Sequence, residues 1–323
     1  INSDTESFPI IISSSVTIHG FEGNATLDAG GNSTVLLFEN VDYSTVIRNL
    51  TITGGNNTDN WGGGGIYCIY ADPTIEEVSI VGNNSSNGGG IYCNHSSPTL
   101  RNVTISNNDA TNSAGGVYCN FSNPILSAVE ISNNIANGHA GGIYVGSESS
   151  INFYTGEISA NTAISGNGGG IIFESSYISE VGGVTISGNS GLFQGGGMYL
   201  TSANPTLTNV TISNNTANWG GGMHLSNSNP TLTHVTIANN TADYGGGMRL
   251  FYSDPILNNV IISGNMANND GGGMLLLSRS QSLEQNMIAA LIKSRACYKD
   301  FVETSSDFAW KTGPDGALKF VSP

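Results

Sequence analysis

No lysine occurs in the first 278 residues, and only Arg48, Arg101 and Arg249 are basic there, against 19 acidic residues. Charged residues make up just 10% of the 323-residue chain, well under the roughly 25% usual for globular proteins. The chain carries a net charge of −15, made of −16 on this first stretch and +1 on the remainder. A surface of that sign repels nucleic acid and anionic membranes, so neither is expected as a partner. No run of 18 apolar residues is present, so no transmembrane helix is expected. No secretory leader opens the chain, and Ile1 is not an initiator methionine, so a mature form or an excised fragment is expected. Cysteine is scarce at four residues.

Glycine is abundant at 44 residues, and apolar residues still reach 38%. Their recurrence separates the chain from disordered polar sequences. Gly-Gly followed by Ile, Val or Met recurs, with the apolar residue at 66, 91, 117, 143, 171, 198, 223, 248 and 274. A second mark, Ile-x-x-Asn, ends at Asn83, Asn108, Asn134, Asn161, Asn189, Asn215, Asn240 and Asn265. Both ladders advance by 25 to 28 residues per step. Two independent ladders of matching period mean a stack of structural repeats.

Between the marks lies a third run, such as Asn204-Pro205-Thr206-Leu207-Thr208-Asn209-Val210-Thr211-Ile212. Its alternation reads as strand, with Leu207, Val210 and Ile212 pointing inward around a bend. Proline at 73, 98, 124, 205, 230 and 255 opens this run, where it needs no ladder N–H. Each repeat is then one coil of about three short strands, paired with the coils on either side. At a strand spacing of about 4.8 Å, roughly ten coils make a rod of about 45–50 Å. The fold class is all-β: a right-handed parallel β-helix over 1–278, followed by a C-terminal helix and short hairpin. The glycine before each apolar residue is expected to allow positive φ and close packing of successive turns. The asparagine after Ile-x-x is expected to take the left-handed conformation and to bond through its amide to the same amide one coil away, a structural ladder.

Gly-Gly-Gly-Ile-Tyr and Ile-Ser-Asn-Asn resemble the repeats of the chlamydial polymorphic outer-membrane proteins, and the coil pattern resembles pectin-lyase-like right-handed β-helices. The resemblance covers most of residues 45–278. It departs from the family pattern in having Ile-x-x-Asn where that family carries Phe-x-x-Asn. It implies the fold and, less directly, an extracellular or cell-surface location and a role in adhesion. One fold hosts many functions, so the site itself has to carry the functional argument.

Repetition turns each candidate residue into a column. After Gly-Gly-(Ile/Val/Met), the outward column reads Tyr67, Tyr92, Tyr118, Tyr144, Ile172, Tyr199, His224, Arg249 and Leu275. The tyrosines of this column are the binding candidates, as an exposed strip that could stack on sugar rings or meet a host or cell-surface protein. Tyrosine's preference for strands explains the column equally well without any ligand. Tyr70, His95 and Phe121 lie just beyond, at the following turn. The next column points inward and holds Cys68, Cys93 and Cys119, read as small buried hydrophobes rather than a disulfide or a metal site. The residues before proline, Asp72, Ser97, Asn123, Asn204, Asn229 and Asp254, read as turn chemistry.

Catalytic patterns are sparse. The resemblance to pectate lyases would imply clustered aspartates and a basic residue, and the polygalacturonases would imply Asn-Thr-Asp, Asp-Asp, Gly-His-Gly and Arg-Ile-Lys. Only Asn57-Thr58-Asp59 matches by letters, inside a glycine-rich turn. Glu76 and Glu77 form the one adjacent acidic pair before residue 278, read as a solvated edge. His19, His95, His139, His224 and His234 occupy different columns. The reading is therefore a binding module with no catalytic residues, no metal and no cofactor. A polysaccharide lyase or hydrolase is the alternative.

The tail differs. Leu283, Met287, Ala290, Ser294, Cys297 and Phe301 follow a helical spacing, placing a helical linker or cap over 279–304. Two short strands, Phe308–Lys311 and Leu318–Val321, flank Gly313-Pro314-Asp315-Gly316. Tyr298, Phe301 and Glu303, then Ser306-Asp307, Trp310, Asp315-Gly316 and Phe320-Val321-Ser322-Pro323, resemble the opening of a PAS sensor domain. That likeness implies a truncated PAS-like start over 305–323 and, as a second alternative, a signalling protein whose ligand-reading part is the rod. The same residues also fit a cap over the last coil.

Overall fold

The computed structural model describes residues 7–21, 25–58, 62–277, 309–312 and 318–321. The chain winds into a parallel β-solenoid of about ten coils. Among the described residues there is no α-helix. Three sheets run the length of the solenoid, with 13, 16 and 9 strands.

One coil shows how the sequence builds the rest. Ile91–Asn94 lies on the first sheet, Thr99–Arg101 and Thr104–Ser106 on the second, and Asp109–Ser113 on the third. We call these the tyrosine, proline and asparagine faces. Ile91, Cys93, Leu100, Val103 and Ile105 turn inward and are completely or almost completely buried. Each strand pairs in parallel with the equivalent residues one coil away, as in Ile91↔Val117, Leu100↔Leu126 and Ile105↔Ile131. Strands this short bury nothing alone, so each coil depends on its two neighbours for both hydrogen bonds and core. Pro73 and Pro98 precede their strands and serve as acceptors, taking bonds from the N–H of Thr99 and Ile125.

The corners correct two expectations. In the coil from Met198 to Gly222, the left-handed residues are Ser202, Asn209, Asn214 and Gly220, with φ of 51°, 54°, 57° and 67°. Asn209 is the bend between Leu207 and Val210. The ladder asparagine is not left-handed; the residue before it is, as with Asn107, Asn133 and Ala160. Turning the corner one residue early leaves the next side chain aimed along the solenoid axis. The glycine directly before the apolar residue is not left-handed either; Gly195, two positions ahead of Gly197, takes φ 64°. Gly197 is needed for a different reason. A Cβ there would sit 2.7 Å from the Gly222 carbonyl oxygen and 2.9 Å from Asn215 Nδ2.

The asparagines form a continuous buried ladder. Asn161 Nδ2 donates to Asn189 Oδ1 at 3.0 Å and to the Ile131 carbonyl at 2.8 Å. Asn161 Oδ1 accepts from Asn134 Nδ2 and from the Asn134 backbone N–H, both at 2.9 Å. The same pattern runs from Asn83 to Asn265. Both amide hydrogens and both lone pairs of each interior member are therefore used.

Two further ladders appear. Ser96, Ser122, Ser149, Ser179, Ser228 and Ser253 each accept a backbone N–H from the preceding coil through Oγ. The residues before proline form an outer series: Ser97 N–H donates to Asp72, Asn229 N–H to Asn204 and Asp254 N–H to Asn229.

At the far end, the tyrosine face continues as an antiparallel hairpin of Ala309–Thr312 and Leu318–Val321, the latter pairing with Met274–Leu276 at Leu275↔Lys319. This backbone arrangement places the expected hairpin at the end of the rod. The helix expected over 279–304, its turn at 313–316, and Cys297 lie outside the described residues. Most of the PAS-like motif lies outside them as well.

Candidate functional site

The outward tyrosines come together as alternation requires. Tyr67, Tyr92, Tyr118 and Tyr144 pair in register along the tyrosine face. Tyr67 and Tyr92 meet edge to face at 5.4 Å, Tyr92 and Tyr118 stack at 5.0 Å, and Tyr118 and Tyr144 stack at 4.7 Å. Ring separations near the coil spacing are what a stack of identical side chains imposes.

The expected exposure is not found. Tyr92 is only 5% exposed, and Tyr67, Tyr118, Tyr144 and Tyr199 are intermediate. The cause is the turn that leads into each strand. It folds back along the outer side of the sheet, so a Cβ on Gly62 would lie 3.0 Å from Tyr67 Cδ1, and one on Gly168 would lie 2.1 Å from Ile172 Cγ1. Asn87, beside this turn, is buried. The tyrosines are thus the floor of a trough. Burial raises the phenol pKa of Tyr92, Tyr118, Tyr144 and Tyr199 above the ordinary value. The Tyr144 hydroxyl also donates to Glu174. Ile172 separates Tyr199 from the other four.

A second aromatic row stands on the rim and is open to solvent. Tyr70, His95 and Phe121 occupy equivalent corners, with rings 4.9 and 4.7 Å apart. Tyr70 is 58% exposed and Phe121 40%. Their φ values are 48°, 50° and 50°. For a bulky residue the left-handed region costs on the order of 1–2 kcal/mol. In other coils the same corner is Asn40, Ser175, Ser202, Asn227 and, aromatic again, Tyr252. A shallow depression lined by Ser14, Ser15, Asn40, Val41, Asp42 and Tyr70 lies at the start of this row. The Asp42 carboxyl there is held below its usual range by hydrogen bonds from the side chain and then the backbone of Ser44.

A family model described as the right-handed β-helix region matches residues 115–288. The chain belongs to the right-handed β-helix family. No curated protein and no solved structure matches it.

Later in the β-helix the outward column changes character. Tyr199, His224 and Arg249 follow one another in register. The Tyr199 and His224 rings are 5.5 Å apart. Arg249 Nη1 lies 3.4 Å from both ring nitrogens of His224, so the guanidinium sits over the ring face. Its carbon is 4.9 Å from the Trp219 ring and 5.7 Å from Phe251. His224 is buried, and burial, followed by the nearby Arg249 charge, lowers its pKa to about 3. Its imidazole is therefore neutral at pH 7.

The remaining candidates of the β-helix do not converge. Cys68, Cys93 and Cys119 are free thiols in one buried, aliphatic column. The Cys119 thiol is pushed well above its ordinary value by its hydrogen bond to Cys93 and by burial. Glu76 forms an exposed ion pair with Arg101 at 3.0 Å, and Glu77 is a left-handed corner. His19 bonds to Asn49 and His234 to Asn259 on the proline face, whereas His139 accepts the Asn167 N–H on the asparagine side. Asp59 of the Asn57-Thr58-Asp59 match lies outside the described residues. Among the described residues, no group of three His, Cys, Asp or Glu side chains is placed to hold a metal ion.

Proposed function

We propose that this β-helix is a non-catalytic binding module of the cell surface or extracellular space, and that it holds saccharide chains along its tyrosine face. The observation that carries the reading is the rim row of Tyr70, His95 and Phe121. Aromatic rings stand there in three successive coils, at left-handed corners that serine or asparagine fills in several other coils; of these, asparagine takes the conformation at lower cost. The three rings are exposed and add little to the core. A row of stacked, solvated rings offers apolar faces to sugar rings, with Tyr67, Tyr92, Tyr118 and Tyr144 as the firm floor behind it.

The test is a glycan array. The double variant Tyr70→Ser, Phe121→Ser copies a corner residue the chain uses elsewhere, so it should melt no lower than the parent. Binding by the parent and its loss in the double variant is the expected result. Tyr92→Ala and Tyr118→Ala should weaken binding by disturbing the floor. An array with no bound glycan, or binding indifferent to the rim substitutions, would remove the saccharide reading. Release of products from pectin or alginate by the full chain would replace it with a carbohydrate-active enzyme.

A further inference from the structure

Arg249 is an unusual cation for this molecule. It is one of three basic residues in an acidic 278-residue stretch. The other arginine with a defined partner, Arg101, has a carboxylate at 3.0 Å. Among the described residues Arg249 has no carboxylate at ion-pair distance. Its Nε is buried without a hydrogen-bond partner. Its neighbours are aromatic instead: Trp219 and Phe251 around the guanidinium and neutral His224 beneath it. Burial lowers its pKa from the ordinary value, yet an arginine so placed stays cationic at pH 7.

A guanidinium stacked on rings keeps its in-plane N–H donors directed away from those rings. A half-buried positive charge with unused donors is an unfavourable arrangement unless an anion completes it. Two large rings remain solvent-facing next to it: Trp219 is 37% exposed and Tyr252 62%. Phe251 packs against Tyr252 at 4.4 Å, which ties that ring to the same cluster. The rod is otherwise strongly acidic, so an anionic ligand has little else to bring it here.

We infer that Arg249, framed by Trp219, Phe251 and Tyr252, is a binding site for a carboxylate carried on a six-membered ring that offers an apolar face. The carboxylate accepts from the free edge of the guanidinium, and the ring packs on the exposed aromatic faces. The shared chemistry fits both a uronic-acid sugar and an aromatic acid. The site lies five coils beyond Phe121, and it stands whether or not the rim row binds saccharides.

The full chain labelled with 5-fluorotryptophan tests it, with the Trp219 resonance assigned by Trp219→Phe. Glucuronate and glucose, then benzoate and benzyl alcohol, are titrated by fluorine NMR. At least one acid should shift the Trp219 resonance saturably and bind about tenfold or more tightly than its neutral counterpart. Glucuronate as the stronger acid identifies a sugar site, and benzoate an aromatic-acid site. Arg249→Gln should abolish the preference for the acid, and Arg249→Lys should restore only part of it, because a lysine lacks the planar fork. Equal binding of acid and neutral partner, no saturable shift with either acid, or an unchanged preference in Arg249→Gln would overturn the inference. If Arg249→Gln does not fold, phenylglyoxal modification of the parent chain takes its place. The favoured acid should then protect Arg249 and leave Arg101 reactive, and no selective protection would overturn the site.

Discussion

Replacing one interior asparagine by leucine tests what the buried ladder contributes. Asn161 is fully buried and takes part in six hydrogen bonds, two through Oδ1, two through Nδ2, one through its backbone N–H and one through its backbone carbonyl. Asn161→Leu keeps the same number of branched side-chain heavy atoms, so no cavity forms; its methyl groups are bulkier than the amide oxygen and nitrogen, and crowding against the neighbouring coils adds to the loss. The Asn134 backbone N–H loses its acceptor, which costs about 1–3 kcal/mol for a buried donor left unpaired. Asn134 Nδ2 keeps the Ile105 carbonyl, Asn189 Oδ1 keeps the Asn161 N–H, and the Ile131 carbonyl loses the Asn161 amide donor, so each of the three loses one partner. Those losses add roughly 1 kcal/mol each. The total expected is about 4–6 kcal/mol, a large share of the ~5–15 kcal/mol that holds a folded domain together. Urea unfolding of the parent and variant measures it. Amide hydrogen exchange should show the loss of protection centred on Asn134 and on the coils touching it, because each coil is supported only by its neighbours. Asn204→Ala, at the exposed pre-proline series, is the comparison and should cost under about 1 kcal/mol. A loss below 1 kcal/mol for Asn161→Leu, or one no larger than for Asn204→Ala, would refute the view that the ladder is a fully satisfied buried network.

Two further outcomes follow from the described geometry. Gly142→Ala places a Cβ 2.4 Å from the Gly170 carbonyl oxygen and 3.1 Å from Ile158 Cγ2; the first obstacle is backbone and cannot rotate away, so destabilisation of about 2–3 kcal/mol is expected, read as a lowered melting temperature. His224 has a folded-state pKa lowered to about 3, so the unfolded chain binds the proton more tightly; its contribution is complete above about pH 6.5 and is lost as pH falls toward 3. His224→Phe should therefore reduce the drop in urea stability between pH 7 and pH 4.5 by on the order of 2–3 kcal/mol, and an unchanged drop would contradict the burial of a neutral imidazole.

Much of this architecture was legible because solenoids write their contacts as columns. Asn83 to Asn265 could be aligned by eye, and a column of identical amides at the coil period has few uses other than bonding to itself. The bend at Asn209 was likewise marked by apolar residues at 207, 210 and 212. Corner positions were less legible. The left-handed residue falls on Asn107 in one coil, Ala160 in another and Gly188 in a third, so no single letter announces it, whereas the neighbouring ladder asparagine is uniform and drew the assignment one place too far. The serine ladder went unseen, although Ser96, Ser122, Ser228 and Ser253 all stand two residues before proline. The direction of the tyrosine column was readable from alternation, but its burial was not. That depends on the incoming turn folding back over the sheet, an angle that local spacing does not encode. For the same reason Arg249 could be placed in its column, while its contact with Trp219 on the preceding turn could not.

The ladder has one more consequence. In every pair from Asn83 to Asn265, one amide N–H donates toward the C-terminal coil and the oxygen accepts from the N-terminal one, while the second N–H meets an isoleucine carbonyl of the N-terminal coil. β-Sheets have little net dipole, because their backbone groups alternate in direction. Here the side-chain amides do not alternate, and hydrogen bonds in such a chain polarise one another. The interior of this all-β rod therefore carries an electrical polarity of the kind usually found in an α-helix, with its positive pole at the C-terminal coils.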